Sequence, residues 1–129
     1  MLARSVSLFL IAMCFSITMV AQRSVRIKFA RGAENKVVTG DLNGYRSSRT
    51  YVIRVRDGQT LSTKQVGDDH QITIFITNAN GEDVGDSDAS CNNRREIKPT
   101  EAGDYRIRVV ECQKADSWKG QFKFRITVR

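Results

Sequence analysis

From residue 25 onward, apolar and polar side chains alternate with a period of two through much of the chain. Val25, Ile27 and Phe29 fall on one side of an extended backbone, with Arg26, Lys28 and Ala30 on the other. Tyr51, Ile53 and Val55 repeat the pattern against Val52, Arg54 and Arg56. Tyr105, Ile107 and Val109 do so against Arg106, Arg108 and Val110, and Phe122, Phe124, Ile126 and Val128 against Lys123, Arg125 and Thr127. Four amphipathic strands with basic outer faces are predicted. Residues 72–77 are apolar on both sides, which predicts a central strand. Shorter strands are expected at residues 36–42 and 60–65 and near 96–98. Between these runs fall turn signals: Asn43-Gly44, Asp57-Gly58, Asn80-Gly81, and Ala102-Gly103-Asp104 shortly after Pro99. Short strands at this spacing predict an all-β fold, a single antiparallel β-sandwich or jelly roll of seven or eight strands. Tyr105, opening a core strand just after a glycine turn, is expected to be architectural, in the manner of a tyrosine corner.

The first 21 residues break this pattern. One basic residue, Arg4, precedes an apolar run that continues to Val20 and ends on small residues, the layout of a secretory signal cut after Ala21. Ser5, Ser7, Ser16 and Thr18 interrupt the run, so no permanent membrane anchor is expected, and Met13 before Cys14 argues against lipid attachment. The domain proper is then residues 22–129. Losing Arg4 lowers the formal net charge from +7 to +6. Two of the three cysteines remain, Cys91 and Cys112, and in an oxidising compartment they are expected to pair. The enclosed loop of 22 residues corresponds to about 3 kcal/mol in the chain-entropy picture. The expected location is periplasmic or secreted.

Composition, at 40% hydrophobic and 27% charged, is that of an ordinary globular domain. With Cys14 in the leader, one histidine (His70) and two cysteines are too few soft ligands for a tetrahedral zinc site unless carboxylates make up the deficit. Residues 78–88 supply oxygens for calcium, including Asp83, Asp86 and Asp88, but not in the order of a calcium loop, so a solvated acidic turn is expected. No nucleophile elbow or phosphate loop is present, and His70 sits in a polar turn. Neither enzyme activity nor a cofactor is expected. The basic residues alternate with core positions and lack an aromatic platform, so nucleic acid is not the expected partner; an anionic envelope surface suits them better.

Several segments occur in a familiar order: Val25-Arg-Ile-Lys-Phe-Ala-Arg-Gly32, Gly40-Asp-Leu-Asn-Gly-Tyr45, Thr50-Tyr51, Asp57-Gly58-Gln59 and Ala102-Gly103-Asp104-Tyr105-Arg-Ile-Arg-Val109. In these, residues 24–129 resemble the bacterial periplasmic inhibitors of goose-type (g-type) lysozyme, and more loosely the pre-peptidase C-terminal β-sandwich domains. The resemblance implies a protein partner, a g-type lysozyme, whose substrate cleft is blocked by inserted loops. It implies contact through Tyr45, Gly103 and the loop at residues 113–119. There the family's arginine loop is replaced, leaving Lys114 and Lys119 as the nearest cations, and Trp118 adds an aromatic anchor. The tight turn reads Ala102-Gly103, where related inhibitors of invertebrate-type lysozyme have Ser-Gly. The alternative is a noncatalytic module that binds glycan or envelope components.

Overall fold

The computed structural model describes residues 23–67, 72–84, 91–112 and 117–129. Nine strands run through them in chain order: β1 (Val25–Arg26), β2 (Asn35–Asn43), β3 (Ser48–Val55), β4 (Leu61–Gln65), β5 (Ile72–Thr77), β6 (Asp83–Val84), β7 (Arg94–Ile97), β8 (Gly103–Glu111) and β9 (Lys119–Val128). They form two stacked sheets, one ordered β1-β3-β8-β5-β6 and the other β2-β9-β4-β7. All pairings are antiparallel except β1 with β3. The all-β sandwich read from the alternation is the fold observed. Among the described residues no helix is long and apolar enough to cross a membrane. The proposed leader at residues 1–21 and His70 lie outside the described residues.

Between the sheets, the inward positions of the amphipathic strands meet. Ile72, Ile74, Ile107, Val109, Phe124 and Ile126 lose essentially all contact with solvent. Tyr51 and Phe124 pack edge to face at 5.4 Å, as expected for rings whose positive edges seek negative faces. Burial raises the Tyr51 pKa above the ordinary phenol value; the nearby Arg49 works against this shift and Asp41 adds to it. A Cβ at Gly40 would collide with the Tyr51 hydroxyl and the Phe122 ring, so glycine is what lets β2 close over these aromatics. Tyr105 is buried, and its hydroxyl accepts the Glu101 N–H at 3.0 Å, tying β8 to the turn before it.

Three details depart from the pattern-based expectations. Nine strands are present among the described residues rather than seven or eight, because β1 and β6 are two-residue pieces too short to generate a period. Val25 is 56% exposed: β1 touches only the rim of its sheet, and burial begins at Ile27. The strand at 72–77 is not central; β8 is, flanked by β3 and β5. β5 is apolar on both faces for local reasons. Phe75 lies on the outer face under the Arg108 guanidinium, 4.8 Å from the ring centre, and the buried Thr73 hydroxyl accepts the Cys91 N–H at 2.8 Å.

Candidate functional site

At one end of the sandwich the β2–β3 connection meets the start of β9. Asn43 faces Lys119 across the ladder, and the Gly44 N–H continues it by donating to the Trp118 carbonyl at 3.0 Å. The chain then reverses: Gly44 has φ of +83°, and the Ser47 N–H donates to the Gly44 carbonyl at 3.1 Å. A side chain at Gly44 would press on Ser117, which binds the two connections closely together. Tyr45 sits on the turn so formed and is 43% exposed. Below it, Arg49 Nε donates to the Asp41 carbonyl at 2.9 Å, bracing one sheet against the other.

Trp118 is half-buried, with its ring packed on the core and folded across Gly120. Its backbone N–H donates to Glu111 Oε2 at 2.6 Å. Glu111 continues the inward parity of Tyr105, Ile107 and Val109 and is 1% exposed. Its other oxygen, Oε1, has no hydrogen-bond partner among the described residues. Burying a carboxylate is costly unless it is hydrogen-bonded, so Glu111 trades stability for a fixed position of the chain entering β9. Glu111 is not singled out by the strand pattern, although a charged residue at an inward position of a core strand is visible in the alternation. The next residue, Cys112, forms a disulfide with Cys91, with Cα atoms 4.6 Å apart, so the bridge clamps the base of the same tip.

The tip thus brings together Tyr45, Trp118 and Lys119. Lys114 lies outside the described residues, as do Asp86 and Asp88. Gly103 is elsewhere. In the β3–β8 ladder Val55 faces Gly103 while Ser48 faces Val110, so Gly103 and Tyr45 are at opposite ends of that pair. From Gly103 to Glu111 an extended strand spans roughly 26 Å. The idea of one contact surface containing both Tyr45 and Gly103 is therefore corrected by the strand register. Gly103 has its own structural duty: φ is +140°, and a Cβ there would come within 2.6 Å of the Ala79 side chain. Beside it, Arg26 Nη1 and Nη2 donate to Asp104 Oδ1 and Oδ2 at 3.1 and 3.0 Å, and this pairing holds the Asp104 carboxyl below its usual pKa.

Neither protein-family models nor curated protein sequences match the chain. Solved structures do. The periplasmic inhibitor of g-type lysozyme from Aeromonas hydrophila, PliG, superposes with a TM-score of 0.65 at 17% identity, covering 82% of this chain and 96% of that one. A mutant of the corresponding Escherichia coli inhibitor gives 0.62 at 18% identity, over 84% of this chain and all of that one. The fold is that of the g-type lysozyme inhibitors. It is shared more distantly with the pre-peptidase C-terminal domain of a Bacillus anthracis collagenase, at a TM-score of 0.51, 16% identity and coverage of 84% and 97%. Among the described residues no group of three or more His, Cys, Asp or Glu is placed to hold a metal ion. The Cys91–Cys112 bridge fits an oxidising compartment.

Proposed function

We propose that the protein is an exported inhibitor that binds a g-type lysozyme and obstructs its substrate cleft with the tip carrying Tyr45, Trp118, Lys119 and, in the adjoining loop, Lys114. The observation that carries this reading is the assembly of an exposed tyrosine, a tryptophan and a lysine at one braced end of an inhibitor-like fold. The chemistry is complementary. Glycosidases keep a pair of carboxyl groups in the cleft, and a lysine ammonium brought among them competes with the sugar. A lysine acts as a point charge without the planar fork of arginine, so orientation falls to the aromatic side chains. Bracing by Glu111, Gly44 and the disulfide limits the conformational entropy lost on docking. Gly103, at the far end, is assigned to the fold and left out of the contact surface.

The test is lysis of bacterial cell walls by a g-type lysozyme in the presence of the purified protein. Inhibition rising with protein concentration is expected, and Tyr45→Ala, assayed well below its melting temperature, is expected to weaken it by at least about 1 kcal/mol. Undiminished lysis at micromolar protein, combined with sedimentation on insoluble peptidoglycan, would favour a glycan-binding module instead.

A further inference from the structure

The two outer faces of the sandwich carry similar numbers of cations but use them differently. On the five-stranded sheet most are engaged within the protein. Arg26 is paired with Asp104, Arg106 Nη1 donates to Ser24 Oγ at 3.2 Å, and Arg108 stacks over Phe75. On the four-stranded sheet, Lys64, Arg94, Lys123 and Arg125 point outward and are exposed, and none makes a side-chain hydrogen bond or ion pair among the described residues. Three of them stand in a single row. Lys64 on β4 lies directly opposite Arg94 on β7 and directly opposite Arg125 on β9. Like charges facing across neighbouring strands destabilise a sheet, so this arrangement works against folding and calls for a use elsewhere.

The row crosses a shallow depression of about 540 Å³ in which, among the described residues, Glu96, opposite Ser62, is the one acidic lining residue. At its two sides lie exposed aliphatic side chains. Val37, which faces Arg125 from β2, is 41% exposed, and Val66, whose N–H donates to the Lys123 carbonyl, is 42% exposed. Unpaired cations interspersed with exposed aliphatics on a sheet face match the headgroup zone of a bilayer, where phosphates take the charge and short apolar side chains sink slightly. Among the described residues the face carries no aromatic side chain on which a base could stack, which sets it apart from a single-stranded nucleic-acid platform.

The geometry points to this face, Lys64, Arg94, Lys123 and Arg125 with Val37 and Val66, as a docking surface for an anionic phospholipid membrane. It is separate from the loop tip, so the lysozyme reading can fail without it and it can fail without the lysozyme reading. Docking by this face would hold the protein at the envelope surface.

The experiment is co-sedimentation of the protein with vesicles of pure phosphatidylcholine and with vesicles one-third phosphatidylglycerol, alongside retention on heparin. Variants share the wild-type N-terminus, so any anchoring by residues 1–21 cancels. Preference for the phosphatidylglycerol vesicles is expected, and it should vanish in high salt. Lys64→Glu should reduce binding at least about tenfold. The same change converts both facing like-charge pairs into opposite-charge pairs, so it should raise the melting temperature, which excludes misfolding as the cause. Val66→Ser should lower vesicle binding while leaving heparin retention unchanged, and Arg54→Gln on the other face should leave both unchanged. Equal binding to both vesicle types, a Lys64→Glu variant that binds as well as wild type, or retention on heparin without vesicle binding would overturn the proposal.

Discussion

Replacing Gly103 by alanine separates a structural role from a contact role at a residue that both the turn pattern and the family resemblance single out. The backbone there has φ of +140°, a conformation that costs an L-residue of order 1–3 kcal/mol. The new Cβ would lie 2.6 Å from the side chain of Ala79, and because Ala79 is exposed, relieving that contact costs about 1 kcal/mol more, the low end of the overpacking range. A total loss of about 2–4 kcal/mol corresponds to a drop of roughly 10–20 °C in melting temperature for a domain of this size. The assay is urea and thermal unfolding of wild type and Gly103→Ala, paired with lysozyme inhibition well below both midpoints. The tip stands roughly a strand length away, so inhibition by the folded variant should match wild type. Unchanged stability with weakened inhibition would refute the assignment of Gly103 to the fold and return it to the contact surface.

Two further outcomes concern the bridge and the acid limb of stability. Reduction of Cys91–Cys112 should lower stability by about 3 kcal/mol and leave two titratable thiols; a melting curve unchanged on reduction would contradict the clamp at the tip's base. Asp104 is held below its ordinary pKa first by the hydrogen bonds from Arg26, then by the charges of Arg26, Arg54 and Arg106. A depressed folded-state pKa stabilises the fold above the unfolded value of about 3.9, and that contribution disappears as pH falls through the folded value. The stability gap between wild type and Asp104→Asn should therefore be full near neutrality and close below about pH 4; a gap constant with pH would contradict the pairing.

Much of the architecture was legible because burial on one sheet face imposes a period of two, and Tyr51, Ile53, Tyr105, Ile107, Phe122 and Phe124 obey it. Strands of two residues have no period to display, which is why β6 was hidden in a polar run and β1 was drawn too long. The division into sheets was not legible, since successive strands from β2 to β5 alternate between layers and the partners of each come from distant parts of the chain. Tyr45, Trp118 and Lys119, which the family resemblance and the turn residues single out, are brought to one end by the fold. Gly103 joins them only through the family resemblance, and neither that nor the turn signal at Ala102-Gly103 reports which end of the sandwich the bend occupies. That depends on register, Val55 against Gly103 and Ser48 against Val110, which side-chain alternation alone leaves free by any even number of residues. Glu111 and Arg95 are the converse case. Both are buried charged residues at inward positions, and Arg95 Nε reaches the Ile74 carbonyl of the opposite sheet at 2.8 Å, a contact that only the stacking of the layers creates.

Amide hydrogen exchange of the protein, alone and mixed with a g-type lysozyme, reads the proposed contact surface directly. New protection confined to residues 43–47 and 113–120, with residues 101–104 exchanging as in the free protein, is the predicted result. Protection centred on residues 101–104, or none anywhere, would contradict the assignment of the tip.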